Sequence, residues 1–125
     1  MEKKYLSVSD IDCYKTAFKL SNQVWDIVNS WSNFEKDTIG RQLVRSIDSI
    51  SANIAEGFGR FTKKDKIRFY QISKGSLQES MDWLNKTKVR KIITIEEFDR
   101  INGSLNDLSK QINQLIKYTN IALKD

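Results

Sequence analysis

Two groups of closely spaced basic residues are the side chains in this sequence best suited to binding a partner. One group surrounds a predicted turn and the other ends the helix that follows it; they are Arg60, Lys63, Lys64, Lys66 and Arg68, and then Lys86, Lys88, Arg90 and Lys91. Lysine and arginine bind phosphates by displacing condensed counterions, an attraction that is independent of base sequence and weakens with salt. We take these as candidate nucleic-acid-binding residues; the alternative is that they only solvate the surface.

Aromatic residues are interleaved with the first basic group. Phe58, Phe61 and Phe69 could stack on unpaired bases, as aromatic rings do in single-strand binding sites. The alternative, which we favour, is that these aromatic residues belong to the core.

The residue types that are missing exclude the commonest catalytic sites. The chain has no histidine and no proline, and its one cysteine is Cys13. A Ser-His-Asp triad, a Cys-His dyad and an HExxH zinc site all need histidine. We therefore expect no enzyme activity, no catalytic residue, no metal and no cofactor, and a structural role for Cys13.

One set of carboxylates and cations resembles an active site without supplying a nucleophile or a tuned base. Glu56 and Glu79 are predicted to lie with Arg41, Arg45 and neighbouring polar residues where two helices fold together. Such groups more often form a structural ion pair or hydrogen-bonded network. We predict that Glu79 lies near Arg41 and Arg45 in this role.

Length and composition indicate one globular domain spanning residues 1–125. Hydrophobic residues make up 39% and charged residues 30% of the chain, and no apolar run approaches the ~20 residues that span a bilayer. The first residues contain no apolar segment of the length a signal peptide needs. We expect a cytoplasmic protein with no membrane partner.

Apolar residues recur at spacings of three and four, the period of amphipathic helices. This pattern predicts helices over about 10–31, 36–58, 63–90 and 95–122, with caps at Thr62 and Thr94 and a glycine-marked end at Gly57 and Gly59. The predicted inward seam of the first helix is Ile11, Tyr14, Phe18, Ser21, Trp25 and Val28. Short loops make antiparallel neighbours the easiest packing, so the predicted fold is an all-α, antiparallel up-down-up-down four-helix bundle.

The middle helices carry more apolar surface than one bundle seam requires. In the second helix Ile47 and Ile54 form one seam, and Ser46, Ile50 and Gly57 lie on another beside it. We expect a single copy to leave one seam partly exposed, which favours a homo-oligomer, since large exposed apolar patches mark partners. The alternative is that wide apolar faces are ordinary in a bundle.

The positive charge is concentrated in the same region. Residues 36–91 contain 13 basic and 6 acidic residues, a net charge of +7, whereas the rest of the chain carries −2. The two basic groups end the same helix about 40 Å apart, because each helical residue rises 1.5 Å. They form two separate basic rims.

Several of these residues resemble a known family. The segments 42–46, 49–50, 53–57 and 75–79, together with Arg60 and Phe69, are similar to the bacterial 23S ribosomal RNA intervening-sequence proteins, over about residues 10–120. The resemblance implies an up-down bundle that assembles as a homopentamer. It also implies kinship with accessory subunits of the reverse transcriptases of diversity-generating retroelements, which bind nucleic acid through positive charge.

The residues that match the family motif are assigned to packing between helices. They are Asn53, Glu56, Gly57, Arg60, Gly75, Ser76 and Glu79. Gly75 and Ser76 are small, and a glycine inside a helix otherwise costs about 1 kcal/mol, so we expect the third helix to approach a neighbour there.

Two functions remain open from the sequence. The first is a non-enzymatic oligomeric bundle that binds RNA or DNA non-specifically through its basic rims, or serves as a scaffold beside a nucleic-acid enzyme. The second is a protein–protein adaptor whose positive surface meets an acidic partner.

Overall fold

The computed structural model describes Val8 and residues 11–124 and contains only helices and turns in that part of the chain. The long helices are α1 (Asp12–Asn29), α2 (Arg41–Gly59), α3 (Lys63–Val89) and α4 (Ile95–Ala122). A short α-helical turn, Asn33–Glu35, and a π-helical turn, Lys36–Gly40, lead into α2. The predicted all-α class and the four helices are confirmed.

The predicted caps explain where α3 and α4 begin. The Thr62 side chain accepts a hydrogen bond from the Asp65 backbone N–H at 3.1 Å. Thr94 accepts one from the Glu97 backbone, and the Glu97 carboxylate accepts one from the Thr94 backbone, which completes a capping box. A second capping box, formed by Ser32 and Glu35, starts the leading turn several residues before the predicted start of the second helix.

Gly57 and Gly59 do not close α2 in the left-handed conformation that the sequence predicts for them. No described glycine adopts a left-handed conformation, and Arg60 after the helix is extended. Gly57 is instead buried against α3, where an added Cβ would lie 2.7 Å from Tyr70 Cε1 and 3.0 Å from the Lys66 carbonyl oxygen. Gly57 therefore permits close helix packing and does not reverse the chain.

Small polar side chains join α2 to α3. The Ser73 hydroxyl donates to the Ile50 carbonyl at 2.8 Å, and the Ser80 hydroxyl lies 2.9 Å from the Ser46 hydroxyl. Hydroxyl groups buried at this interface keep their hydrogen bonds, so their burial costs little.

The second seam of α2 is covered within the single chain, contrary to expectation. Ser46, Ile50 and Gly57 are buried together with Ile47 and Ile54. The serines of α3 reach across to the seam at short distances, and this is why no other copy is needed to cover it. Part of the α3 flank stays half-exposed, including Phe69, Ser76 and Trp83.

The predicted inward seam of α1 is wrong in part. Phe18 and Trp25 are 55% and 56% exposed, and Tyr14 packs at the margin of the core. The core instead receives a stripe whose members each lie one residue before a predicted seam residue. These are Cys13, Ala17, Leu20, Val24 and Ile27. Both stripes have helical spacing, but small Cys13 and Ala17 allow a closer approach than the aromatic stripe would.

Candidate nucleic-acid interface

The first predicted basic group lies at the junction of α2 and α3, and we call it the α2–α3 basic cluster: Arg60, Lys63, Lys64, Lys66 and Arg68. Arg60, Lys64 and Arg68 are exposed, and Lys63 and Lys66 are half-buried. The N-terminus of α3 lies within the cluster and adds the positive end of a helix dipole. The cluster is therefore electropositive through both side chains and backbone.

Lys66 is committed to structure rather than free to meet a ligand. Its ammonium donates to the Phe58 carbonyl at 2.6 Å and lies 5.4 Å from the centroid of the Phe58 ring. Partial burial lowers the pKa of Lys66. Lys66 thus satisfies a carbonyl at the end of α2 and holds the start of α3 against it.

The two arginines of this cluster share one aromatic ring. The guanidinium carbons of Arg60 and Arg68 lie 4.5 and 5.2 Å from the centroid of Phe69. Arg60 also forms an exposed ion pair with Glu56 at 2.8 Å. Stacking on a ring fixes a guanidinium in place while leaving its N–H groups able to donate to phosphate.

Of the three aromatic residues near this cluster, two are partly buried and one is open to solvent. Phe58 and Phe69 are half-buried, with cations over their rings. Phe61 is 97% exposed in the turn between α2 and α3. Phe61 is therefore the ring of the three that is open to a base.

The second predicted group lies at the C-terminal end of α3, and we call it the α3–α4 basic cluster: Lys86, Lys88, Arg90 and Lys91. Lys86 pairs with Asp82 at 2.7 Å and lies over Trp83, and Lys88 lies over Phe98. Arg90 and Lys91 are exposed. Lys91 has a φ of 58°, a left-handed conformation that presents a lysine at a tight turn where glycine is usual.

The family-motif residues occupy different environments. Gly57 is buried, Asn53 is half-buried and donates to the Ser49 carbonyl at 2.8 Å, and Ser76 is half-buried. Glu56 and Glu79 are exposed. Gly75 is exposed as well, and an added Cβ would meet nothing within 4 Å, so the close approach expected there is not made within the chain.

The interhelical ion pair predicted for Glu79 is not formed. The Glu79 carboxylate accepts a hydrogen bond from the Trp83 indole N–H at 3.0 Å, and Arg41 lies 3.9 Å from Asp37. Both partners lie one turn away on the same stretch of helix. Such local partners are reached with less ordering than a cross-helix pair of exposed side chains requires.

A groove that the sequence did not predict lies between α1 and the start of α2. Trp25, Val28 and Val44 line its apolar part, and Lys36, Arg41 and Arg45 also line it. The spacing of Arg41 and Arg45 by one helical turn was the sequence signal for this groove. The apolar spacing of α1 predicts a core position for Trp25, and this hides the groove.

Other kinds of site find little support in the described part of the chain. There, no group of three or more Cys, Asp or Glu residues is placed to hold a metal ion. Over the same residues, no helix is long and apolar enough to cross a membrane. Burial raises the pKa of the Cys13 thiol to about 12, so the thiol is not activated as a nucleophile.

Comparison with known proteins identifies the family to which the chain belongs. The family model of the 23S rRNA-intervening sequence proteins matches residues 9–114, and the chain belongs to that family. A crystal structure from Bacteroides thetaiotaomicron, described as a protein of unknown function from the S23 ribosomal protein family, is similar in fold. It has a TM-score of 0.76 and 22% sequence identity, over 84% of this chain and 98% of that chain. Among curated proteins, none matches the chain.

Proposed function

We propose that this protein is a non-enzymatic, cytoplasmic bundle that binds RNA or DNA without base specificity or serves as a scaffold beside a nucleic-acid enzyme. In this proposal the helices form an antiparallel up-down-up-down bundle, and five copies assemble as a homopentamer. Assembly would multiply each basic cluster around a ring. Membership of the 23S rRNA-intervening sequence family supports the proposal.

The observation that carries the proposal is the placement of exposed cations at both ends of α3. Lys64 and Arg68 lie near its first residue, and Arg90 and Lys91 follow its last. A helix of this length separates the two clusters by about 40 Å. Phosphates along one strand could contact both clusters, and phosphate contacts carry no sequence information.

The test is a salt titration of nucleic-acid affinity by fluorescence anisotropy. We expect log K to fall linearly with log salt concentration, since each neutralised phosphate releases counterions. The variants Lys63→Glu, Lys64→Glu and Arg90→Glu should each weaken binding across all sequences and reduce the salt slope by about 1.

The matched control is Lys110→Glu, which makes the same change in charge at an exposed position in the middle of α4. It should leave the slope almost unchanged. No binding at low salt, or equal losses in Lys110→Glu and Arg90→Glu, would contradict the proposal.

The adaptor function is the second candidate, and the groove lined by Trp25 and Arg45 favours it. An apolar cleft with cations at its margin is suited to a protein partner rather than to a polyanion alone.

A further inference from the structure

The groove between α1 and the start of α2 has the composition of a peptide site. It has a volume of about 480 Å³, within the range of ligand pockets. Trp25 forms one wall and is 56% exposed, and Val28 and Val44 contribute aliphatic surface. An exposed tryptophan beside an aliphatic cleft is the type of residue that dominates binding energy at interfaces.

Three cations follow the same groove. Lys36, Arg41 and Arg45 line it, and the lining includes no carboxylate. Arg41 has only a long contact of 3.9 Å with Asp37, between side chains that are 71% and 74% exposed. Among the described residues, no carboxylate lies within ion-pair distance of Lys36 or Arg45. The groove therefore has an unbalanced positive charge.

The π-helical turn explains why Lys36 joins this row. In a regular α-helix a residue five positions before Arg41 would lie about 140° round the axis. The wider i to i+5 turn over Lys36–Gly40 brings Lys36 back to the side of Arg41, and Arg45 follows one α-helical turn later. Single π turns of this kind occur frequently at functional sites.

We infer that this groove binds an acidic amphipathic helix of a protein partner, with a bulky apolar side chain between Trp25 and Val44 and carboxylates one turn apart on Arg41 and Arg45. This inference is independent of nucleic-acid binding by the basic clusters. A nucleic acid fits the groove less well, because Val28 and Val44 would desolvate the polar edges of a base without replacing their hydrogen bonds. A leucine or phenylalanine side chain has no polar group whose hydrogen bonds would be lost there.

The test uses a fluorescein-labelled, amidated peptide of about four helical turns, with Leu and Phe on one face and Asp and Glu spaced one turn apart. Binding is measured by anisotropy at low salt, and Trp25→Ala should weaken it about thirtyfold, the effect of removing a central interface tryptophan. Arg45→Glu should weaken it about fivefold, since Arg45 is exposed and its interaction is screened.

Controls separate the groove from general attraction between opposite charges. Lys110→Glu should bind the peptide as the unaltered protein does. A peptide in which Asn and Gln replace every Asp and Glu should bind more weakly than the acidic peptide. If Trp25→Ala perturbs α1, Arg45→Glu still tests the groove, because Arg45 is exposed and its substitution does not alter the core.

Three results would overturn the inference. These are equal peptide affinity in Trp25→Ala, Arg45→Glu and Lys110→Glu, equal affinity for the neutral peptide, and failure to bind the acidic peptide while an oligothymidine binds with dependence on Trp25. We expect Lys64→Glu and Arg90→Glu to weaken nucleic-acid binding and to leave peptide binding unchanged, so failure of the groove and failure of the basic clusters give different patterns.

Discussion

At the scale of single residues, two buried acids couple stability to alkaline pH. Cys13 and Tyr70 lie in the core, and burial raises the pKa of each to about 12, from 9.0 for the thiol and 10.0 for the phenol. Each group keeps its proton in the folded chain at pH values where the unfolded chain has released it. The free energy of unfolding therefore decreases as pH rises through that interval.

We expect the free energy of unfolding to fall as pH increases from about 9 towards 12, measured by urea denaturation at a series of pH values. Cys13→Ala should remove the earlier part of this fall and leave the part that begins near 10, which belongs to Tyr70. A stability that stays constant between pH 8 and 11 would contradict the assignment of both groups to the core.

At the scale of elements, the contact between α2 and α3 depends on the absence of a side chain. Gly57→Ala would place a Cβ 2.7 Å from the Tyr70 ring and 3.0 Å from the backbone of α3. We expect it to lower the free energy of unfolding by about 1–3 kcal/mol, the usual cost of overpacking, in a urea titration.

Gly59→Ala is the matched control for this packing effect. Gly59 is the last residue of the same helix, and a Cβ there meets nothing within 4 Å. Its stability should be unchanged or slightly raised, because alanine has the better helix propensity. If Gly57→Ala and Gly59→Ala lowered the free energy of unfolding equally, the cost of Gly57→Ala would come from the backbone rather than from packing.

The elements also separate what sequence could predict from what it could not. The starts of α3 and α4 follow from caps at Thr62 and Thr94, which act within a few residues and need no tertiary information. The choice between two stripes on α1 depends on how closely α2 can approach, and this is not a local property. For the same reason the groove at Trp25 was missed, while the basic clusters were visible as runs of charge.

At the scale of the whole molecule, the uncovered surface differs from the one that the sequence indicated. The second seam of α2 is buried, whereas Phe18, Trp25 and Ile72 are exposed and Gly75 faces open space. The proposed homopentamer therefore depends on the flank of α3 and on the part of α1 around Phe18 for its interfaces, which leaves the groove at Trp25 open. Small Gly75 on an exposed flank suits close approach by another copy.

We expect light scattering at micromolar concentration to give the mass of five chains. Gly75→Leu should lower that mass while helix content by circular dichroism stays the same, because the added side chain meets nothing within one chain. Gly103→Leu makes the same change at an exposed site inside α4 that is also open, and it should leave the assembly intact. A single-chain mass for the unaltered protein would disprove assembly.

The π-helical turn also constrains how this chain can change in length. Lys36–Gly40 contains one residue more than regular coiling needs, and the wide turn absorbs it, so that Lys36 and Arg41 share one side of the helix. Loss of one residue there would restore regular coiling and leave the Ser32 cap facing nearly the same way, because four α-helical steps of about 100° also return to that side. The direction of the chain that arrives from α1 would thus survive a deletion in the π-helical turn, whereas a deletion inside α2 would rotate everything before it by about 100°.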